Sequence, residues 1–441
     1  MHPRDSAVAV AHDVSAVPAV WGRVTNLVID RGEGCWLITT NGERYLDYSA
    51  GIGVTSTGHA HPRVVAAIQA KAARLLHGQQ NIVFHEPGLL LYERLRHVLP
   101  GDGWGAFLSN SGAEAVEAAV KLARIATGRP VIIGFRYGFH GRTAQTMALT
   151  AAKDVYRGHF EPLPGSVYHT AYPYCYRAAG GAHDPAACTC DWEAQLDLTF
   201  HQLVYPEHVA AIIVEPVLGE GGYIVPPPGF LPRLREITRR HGILLIADEI
   251  QTGFGRTGEM FAVQHWKVTP DILVIAKGIA SGMPLSGIIA QRSLLDRFPP
   301  NTHGGTYGGN VVSCAAANAT LDVIADEHLV ENARDRGRQF LAGLRVLAAD
   351  HGAAIGDVRG LGLMLALEFV DPKDPAARIP DPAMMRRVQA EALKRRLIVL
   401  TAGTYANVVR IIPPLVTTAD EVDMALGMLG ESLRAAAYPP S

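Results

Sequence analysis

Short apolar runs alternate with longer stretches of helical periodicity through the middle of the chain. Four runs, at 130–135, 210–214, 242–247 and 271–276, consist almost entirely of apolar residues. Because these runs are continuous rather than alternating, they predict strands that are buried on both faces of a sheet. Their spacing of roughly 30 residues favours βαβ units and a mainly parallel sheet between helices. The predicted fold class is therefore α/β.

The two ends of the chain carry different patterns. An Asn41-Gly42 turn between the segments 35–40 and 45–48 predicts a β-hairpin. The other predicted elements are helices at 62–76, 86–98, 331–349 and from Pro382 onward, and strands at 361–369 and 408–412.

These changes of pattern suggest the domain boundaries. We expect residues 1–60 to form an N-terminal segment and part of a small α+β domain. Residues 61–330 would form a large domain around the parallel sheet, and residues 331–441 the rest of the small domain. The small domain would then be built from both termini, which suits a chain of 441 residues because a single core rarely grows that large.

Composition narrows the class of protein. Hydrophobic residues make up 48% and charged residues 19% of the chain, which is typical of folded proteins rather than of disordered ones. A net charge of −2 gives no electrostatic reason to expect nucleic acid or an anionic membrane as a partner. We also expect no transmembrane helix and no signal peptide. With five cysteines, a cytoplasmic protein with reduced thiols is the expectation.

Polar residues follow each of the four apolar runs, which is where ligands bind in parallel sheets. The segment 138–142 follows the first run, Glu215 the second, Asp248 the third and Lys277 the fourth. The other six of the seven lysines stand in more polar sequence contexts than Lys277. A desolvated lysine becomes a nucleophile toward a carbonyl, although a strand-end lysine that reaches solvent would show the same pattern.

Two features, the segment 111–114 and Asp248, have both a ligand-binding and a structural interpretation. Ser111 followed by Glu114 is a capping box, which predicts a helix from Gly112. The free N–H groups at such a helix start attract an anion such as phosphate, but the same residues also describe a plain capped helix. Asp248 could face a cationic ring nitrogen, or it could form an ion pair or a helix cap.

Phe139, His140 and Arg142 follow the first apolar run. A phenylalanine ring can stack on a planar ligand there, and the guanidinium of Arg142 can bind a carboxylate with two hydrogen bonds. The alternative is a core phenylalanine with a histidine that has a local partner.

Two other motifs are weaker. The segment 253–258 matches the G-x-G-x-x-G pattern of dinucleotide sites, but that motif should follow its strand at once, and five residues intervene here. Cys175, Cys188 and Cys190 lie in an insertion with His183, but their spacing matches no common zinc pattern. We therefore expect no nucleotide, no metal and free loop thiols.

Taken together, the segments resemble the class III aminotransferases, which use pyridoxal phosphate (PLP) on the fold type I scaffold. The resemblance extends from about Trp21 to Leu429. Its motifs are SNSGAEA at 109–115, GFHGRT at 138–143, EPVLGEGG at 215–222, DEIQTG at 248–253, AKG at 276–278, GGTYGGN at 304–310 and RIIPPL at 410–415.

The resemblance implies a role for each motif. Lys277 would bind PLP as a Schiff base and then move protons, and Asp248 would pair with the pyridine nitrogen. The other implied cofactor contacts are Ser111, Gly112 and Ala113 at the phosphate, Phe139 and Ile250 on the ring faces, Gln251 at the ring oxygen, His140, Glu215, and Thr306 from the neighbouring subunit. The site would then require a homodimer with shared active sites, which could pair into a tetramer.

On the substrate side, the resemblance is to members that act on 4-aminobutyrate and other ω-amino compounds. Arg410 would bind the α-carboxylate of glutamate or 2-oxoglutarate, and Arg142 the distal carboxylate. With an ω-amino donor bound, Glu220 would pair with Arg410 and neutralise it. Ile52 would line the pocket. The expected reaction is a ping-pong transfer of an amino group from an ω-amino acid or related amine to a 2-oxoacid such as 2-oxoglutarate or pyruvate.

Four alternatives stay open at this point. An epimerase or racemase of the same class would return the proton to Cα. An acetylornithine-type aminotransferase has an overlapping arginine pattern, and a dialkylglycine-type decarboxylase is disfavoured by Glu220 and Phe139. A nucleotide-binding regulatory protein would use the segment 253–258.

Overall fold

The structure, a computed structural model, describes residues 14–178, 181 and 184–437. The strands are β1 (Ile29–Glu33), β2 (Trp36–Thr39), β3 (Arg44–Asp47), β4 (Trp104–Ser109), β5 (Val131–Phe135), β6 (Val167–Thr170), β7 (Val209–Val214), β8 (Leu244–Asp248), β9 (Ile272–Ile275), β10 (Ser286–Gln291), β11 (Ile355–Leu361), β12 (Met364–Phe369), β13 (Leu397–Ile398), β14 (Leu400–Ala402) and β15 (Val408–Ile411).

The α-helices are α1 (Ala50–Gly53), α2 (Pro62–Ala72), α3 (Glu86–Leu95), α4 (Gly112–Thr127), α5 (Ala144–Leu149), α6 (Trp192–Gln202), α7 (Phe230–Arg240), α8 (Arg292–Leu295), α9 (Val311–Asp326), α10 (Leu329–His351), α11 (Pro382–Lys394) and α12 (Ala419–Ala437). Among the helices of the described residues, none combines the length and the apolar character that a membrane span needs.

A seven-stranded central sheet confirms the predicted α/β class. Its order is β4-β10-β9-β8-β7-β5-β6; the neighbours from β9 to β6 are parallel, whereas β10 is antiparallel to both β4 and β9. The four apolar runs are β5, β7, β8 and β9. The run pattern misses β4, β6 and β10, because each of these strands mixes polar or small residues with its apolar ones.

Helices cover both faces of this sheet, which explains why its strands are apolar at successive positions. Ile132 on β5 and Ile213 on β7 pack with α4 on one face. Ile133 and Ile212, one residue away on each strand, pack with α7 on the other face. A strand between two helical layers has no face in water, so alternation disappears from its sequence.

The ends of the chain form two smaller sheets of four strands. The predicted hairpin is the pair β2–β3, and Gly42 in its turn has a φ of +84°. Strand β13 pairs in parallel with β3, so the sheet β1-β2-β3-β13 contains residues from both ends of the chain. The second small sheet has the order β11-β12-β15-β14. The domain boundaries at residues 60/61 and 330/331 stay a prediction.

A buried group of charges joins β11 and β12 to the loops of the central sheet. Glu368 on β12 is fully buried and accepts hydrogen bonds of 2.7 Å from Arg359 and from Arg177. Burial by itself would raise the pKa of the Glu368 carboxyl, but the charges of the two arginines lower it. Arg359 also donates to the carbonyl of Gly222 at 2.7 and 3.0 Å, so it fixes the loop that follows β7.

We predict that Glu368→Gln destabilises the protein by about 3 kcal/mol, because the loss of one partner leaves buried guanidinium charge uncompensated. The free energy of unfolding is measured by denaturant titration. Asp296→Asn is the control, since it removes an exposed pair with Arg292 and should change stability by less than about 1 kcal/mol. Equal losses of the free energy of unfolding in both variants would show that the buried ion pair contributes no more to stability than the exposed one.

Candidate active site

A cavity of about 330 Å³ lies at the carboxyl ends of β5, β7, β8 and β9. Ten residues predicted from the sequence line it: Gly112, Ala113, Phe139, His140, Glu215, Glu220, Asp248, Ile250, Gln251 and Lys277. Parallel strands present their carboxyl ends at one edge, so the sheet collects side chains that are far apart along the chain.

The start of α4 forms one wall of the cavity. Ser111 caps the helix as predicted, because its side chain accepts from the N–H of Glu114 and its own N–H donates to the Glu114 carboxylate. Ser111 lies just outside the lining, whereas Gly112 and Ala113 line the cavity. A Cβ on Gly112 would lie 2.8 Å from Cδ1 of Ile250, so a larger residue would force the Ile250 side chain to shift. The first N–H groups of a 16-residue helix then face a cavity, which is a position suited to an anion.

Asp248 is the buried last residue of β8 and is held by two partners. Its Oδ2 lies 2.7 Å from Nδ1 of His140, and its Oδ1 accepts the N–H of Ile250 at 3.1 Å. Burial alone would lower the pKa of His140, but the hydrogen bond and charge of Asp248, followed by the charge of Glu215, raise it. The histidine therefore does have a local partner, and it orients the carboxylate that faces the cavity.

Glu215 connects two loops of the site. Its buried carboxylate accepts the N–H of Phe139 and the N–H of Gly219, each at 2.8 Å. Burial raises the pKa of the Glu215 carboxyl to about 7, although the charge of His140 opposes the shift. Glu215 thus fixes the backbone that carries Phe139 relative to the backbone that leads to Glu220.

Lys277 stands two residues after the last residue of β9 and lines the cavity. It has a φ of +47°, an uncommon conformation for a residue with a side chain and one often found at functional sites. Its Nζ makes no hydrogen bond or ion pair with another described residue. Burial lowers the pKa of Lys277, and the charge of Glu220 only partly offsets this. The result is an amine that loses its proton readily and faces the cavity.

Glu220 and Arg410 form a buried ion pair at the cavity wall. Nη1 of Arg410 lies 2.5 Å from Oε1 of Glu220, and the hydroxyl of Tyr156 donates to Oε2 at 3.0 Å. Burial would raise the pKa of Glu220, but the charge and hydrogen bond of Arg410, then the charges of Lys277 and Lys153, lower it to about 2. Nε of Arg410 is buried without a hydrogen-bond partner among the described residues, so the guanidinium has an unused donor.

Arg142 lies next to this pair but has no carboxylate partner among the described residues. Its guanidinium carbon is 4.9 Å from the ring centroid of Tyr156 and 5.9 Å from that of Phe139. The side chain is exposed, so its position is set by the aromatic rings while its donors stay free for a ligand.

Tyr156 and Lys153 are site residues that the sequence analysis missed. Burial, and then the charge of Glu220, raise the pKa of Tyr156 to about 12, so its hydroxyl is a stable donor. Burial also lowers the pKa of Lys153, although this lysine stands in a more polar sequence context than Lys277. Both residues lie at the short 3₁₀ turn Asp154–Tyr156 after α5, where no strand ends and no motif could have identified them.

Five predicted residues are not among those that line this cavity: Ser111 precedes Gly112, Arg142 lies near Phe139, Arg410 pairs with Glu220, and the other two are Ile52 and Thr306. Ile52 is 44% exposed and does not line it, although Val54 does. Thr306 lies in the exposed stretch 304–307. A contribution of Thr306 to a neighbouring subunit stays a prediction.

The segment 253–258 does not form a dinucleotide site. After β8 the chain continues through turns, and no helix opens at this glycine motif. Arg256 within it is buried and donates to the carbonyls of Leu363 and Pro413. The segment 253–258 therefore has a structural role, and it lacks the helix start that a nucleotide-binding site would need.

The expectation of free loop thiols is wrong for two cysteines. Cys175 and Cys188 form a disulfide, and Sγ of Cys190 lies 2.9 Å from Sγ of Cys188. The insertion folds back through short 3₁₀ turns, which brings together thiols that are 13 residues apart in sequence. His183, the fourth candidate in this insertion, lies outside the described residues.

Comparison with known proteins gives a consistent result. The family profile described as aminotransferase class-III matches residues 17–433. The 4-aminobutyrate aminotransferase of Escherichia coli is 39% identical over 94% of this chain and 95% of its own length. The 5-aminovalerate aminotransferase of Pseudomonas putida is 38% identical over 95% of this chain and 96% of its own length.

Solved structures agree with the sequence relatives. The PLP-bound amine transaminase of an uncultivated Pseudomonas species is 35% identical, has a TM-score of 0.86, and covers 99% of this chain and 97% of its own chain. The predicted fold type I scaffold is thereby confirmed. The chain belongs to the class III aminotransferases and is an enzyme whose cofactor is pyridoxal phosphate.

Proposed function

We propose that this aminotransferase moves the amino group of an ω-amino acid, such as 4-aminobutyrate or 5-aminovalerate, to a 2-oxoacid such as 2-oxoglutarate or pyruvate. The observation that carries the proposal is the buried pair of Glu220 and Arg410 beside Lys277, with the free guanidinium of Arg142 close by. The relatives named for 4-aminobutyrate and 5-aminovalerate support it, and they do not favour an epimerase or acetylornithine-type activity.

The cavity residues fit the cofactor. The helix start at Gly112 suits a phosphate, and the oriented anion of Asp248 suits a protonated ring nitrogen. Oε1 of Gln251 is buried without a partner among the described residues, as expected for an amide that faces a polar ligand. The proposed cofactor contacts are Ser111, Gly112, Ala113, Phe139, His140, Glu215, Asp248, Ile250, Gln251 and Lys277, with Thr306 from the neighbouring subunit.

PLP, when bound, would supply a carbonyl that takes up the amino group and a ring that stabilises negative charge at the carbon that bears this group. In this proposal Lys277 holds the cofactor through its amine and, once displaced by the substrate, moves the proton at the carbon that bears the amino group, which is the terminal carbon of an ω-amino acid and Cα of glutamate. Burial lowers the pKa of Lys277, which favours the unprotonated amine that both tasks require. Asp248, oriented by His140, keeps the ring nitrogen protonated.

Substrate selection depends on how Arg410 is neutralised. An ω-amino acid has one carboxylate, which Arg142 binds, and it has no second carboxylate that could pair with Arg410. In that state Glu220 keeps Arg410 paired, as the structure has it. Glutamate or 2-oxoglutarate brings a second carboxylate, which binds Arg410 and displaces Glu220.

A displaced Glu220 needs new partners, because an unpaired carboxylate in a dry site is strongly unfavourable. Lys153 provides one, because its charge already lowers the pKa of Glu220 and its Nζ lies 5.9 Å from the Tyr156 ring, whereas the hydroxyl of Tyr156 holds Glu220 in its place beside Arg410. The two residues missed by the sequence analysis thus belong to the substrate switch.

We further propose a homodimer with shared active sites. Ile82, Phe84 and Tyr307 are 79%, 80% and 63% exposed, which is typical of an apolar interface. Gln80 donates to the carbonyl of Gly309 at 3.1 Å, so these exposed residues lie on neighbouring segments together with Thr306. A cytoplasmic location, expected from the small number of cysteines, belongs to the same proposal.

Lys277→Ala should abolish turnover while the protein still binds PLP non-covalently, because the mutant lacks the amine that holds the cofactor and moves the proton. Borohydride should attach PLP to the Lys277 peptide of the wild type, as mass spectrometry of digests would show. Lys153→Ala is the matched control, since it removes the other desolvated lysine and should still be labelled at Lys277. Labelling at another lysine in the wild type would refute the assignment.

Arg410→Ala should weaken glutamate and 2-oxoglutarate far more than 4-aminobutyrate, because only the former pair has an α-carboxylate. Glu220→Ala should do the reverse, and Arg142→Ala should weaken all three. Each lost contact should change kcat/KM by roughly 2–5 kcal/mol in transition-state free energy. The informative quantity is the ratio of kcat/KM for the two half-reactions. A shift in the same direction for Arg410→Ala and Glu220→Ala would contradict the switch.

Tyr156→Phe should favour α-carboxylate substrates, because it removes the hydroxyl that holds Glu220 against Arg410 but keeps the ring beneath Arg142. We expect the 4-aminobutyrate half-reaction to lose about tenfold in kcat/KM relative to the glutamate half-reaction, in line with one hydrogen bond to a charged group. In a Glu220→Ala background the same substitution should have little further effect. If it lowers both half-reactions equally, or acts fully without Glu220, the hydroxyl has no part in the switch.

A further inference from the structure

Three thiols meet outside the active site. Cys175 lies in the 3₁₀ turn Cys175–Arg177, and Cys188 and Cys190 lie between the turn Pro185–Ala187 and helix α6. The three Sγ atoms lie within 4.8 Å of one another. Cys175 is buried and the other two are half-buried, and none of the three is among the residues that line the active-site cavity.

We propose that, in the reduced protein, Cys175, Cys188 and Cys190 bind one zinc ion, with a water molecule in the fourth position. Each thiol loses its proton as a zinc–sulfur bond forms. Thiolates are soft ligands that select zinc among the common divalent cations. With zinc–sulfur bonds of about 2.3 Å, tetrahedral ligands lie roughly 3.8 Å apart, and the observed cluster is within reach of that spacing.

A disulfide does not account for the whole cluster. It uses Cys175 and Cys188 and leaves the sulfur of Cys190 in contact with that of Cys188. The thiolate of Cys190, in this place, can attack Cys188 and release Cys175 by thiol–disulfide exchange. A metal ion uses all three sulfurs at once. The disulfide is then the metal-free, oxidised form of the same site.

The protein holds the insertion in place independently of the thiols. Arg378, beyond β12, donates to the carbonyl of Tyr176 at 2.9 Å. Arg177 forms an ion pair with the buried Glu368. Asp184 accepts the N–H of Ala186 at 2.9 Å and so caps the turn before Cys188. The ligands are therefore brought together by contacts of their neighbours, which reduces the ordering that a metal must impose.

The site has a structural connection to the substrate switch. Tyr174, next to Cys175, donates to Glu368 and accepts from Arg359 at 3.1 Å. Arg359 in turn holds the carbonyl of Gly222, two residues from Glu220. A zinc ion that fixes Cys175 would therefore stabilise the wall of the active site from outside.

The test uses the full-length enzyme with PLP. A phosphine reductant takes the disulfide to two thiols and becomes the phosphine oxide; the enzyme then receives zinc chloride and is desalted. We expect one retained zinc per chain by elemental mass spectrometry, and an X-ray absorption shell of three sulfurs at about 2.3 Å. Zinc should also protect the three thiols from alkylation, as measured by mass spectrometry of digests.

Matched variants decide the assignment. Cys190→Ser should retain almost no zinc, and zinc should raise the Tm of the wild type but not of this variant. Cys35→Ala and Cys314→Ala, which change buried free cysteines elsewhere, should retain zinc like the wild type. The proposal is overturned if the reduced wild type retains no more zinc than Cys190→Ser. It is equally overturned if all variants retain the same amount, or if alkylation of the three thiols is unaffected by zinc. The alkylation experiment needs only the wild type, so it decides even if a variant folds poorly.

Discussion

A charge that leaves water needs a partner, and this constraint governs the interior of the protein. Glu368 meets two arginines, Asp248 meets His140, and Glu220 meets Arg410. Some buried groups have no ion-pair partner among the described residues, and such a group at the active-site cavity is available to a ligand. Lys277 is the clearest case, because burial lowers its pKa and no described residue forms an ion pair with it.

One buried ion pair also fixes the position of another. The pair of Arg359 and Glu368 fixes Gly222, and the loop of Gly222 carries Glu220 to Arg410. A buried ion pair thus holds the pair that, in the proposed function, selects the substrate. Glu220 and Arg410 can separate only if another carboxylate arrives, since the interior tolerates neither charge alone. In the proposed function, the exchange of one substrate for the other follows from this pairing of buried charges.

Much of the site could be predicted because the fold repeats one geometric rule. Four apolar runs become parallel strands, and polar residues that follow them must meet at one edge. Phe139, Glu215, Asp248 and Lys277 were found in this way, and each lines the cavity. Strand β10 was not predicted in this way, because it is antiparallel to its neighbours and its sequence mixes polar with apolar residues.

The sequence alone determined the α/β class, the resemblance to an aminotransferase family and the strand-end residues, because periodicity and motifs are local properties of the chain. The tertiary structure decided which groups pair. His140 could have been a ligand or a neighbour of Asp248, and only the fold places its Nδ1 against that carboxylate. Tyr156, in a short 3₁₀ turn, donates a hydrogen bond to Glu220, and its ring lies 4.9 Å from the guanidinium of Arg142. Three cysteines of one insertion also come together. Such contacts join residues that are distant in sequence and depend on packing, which no local pattern records.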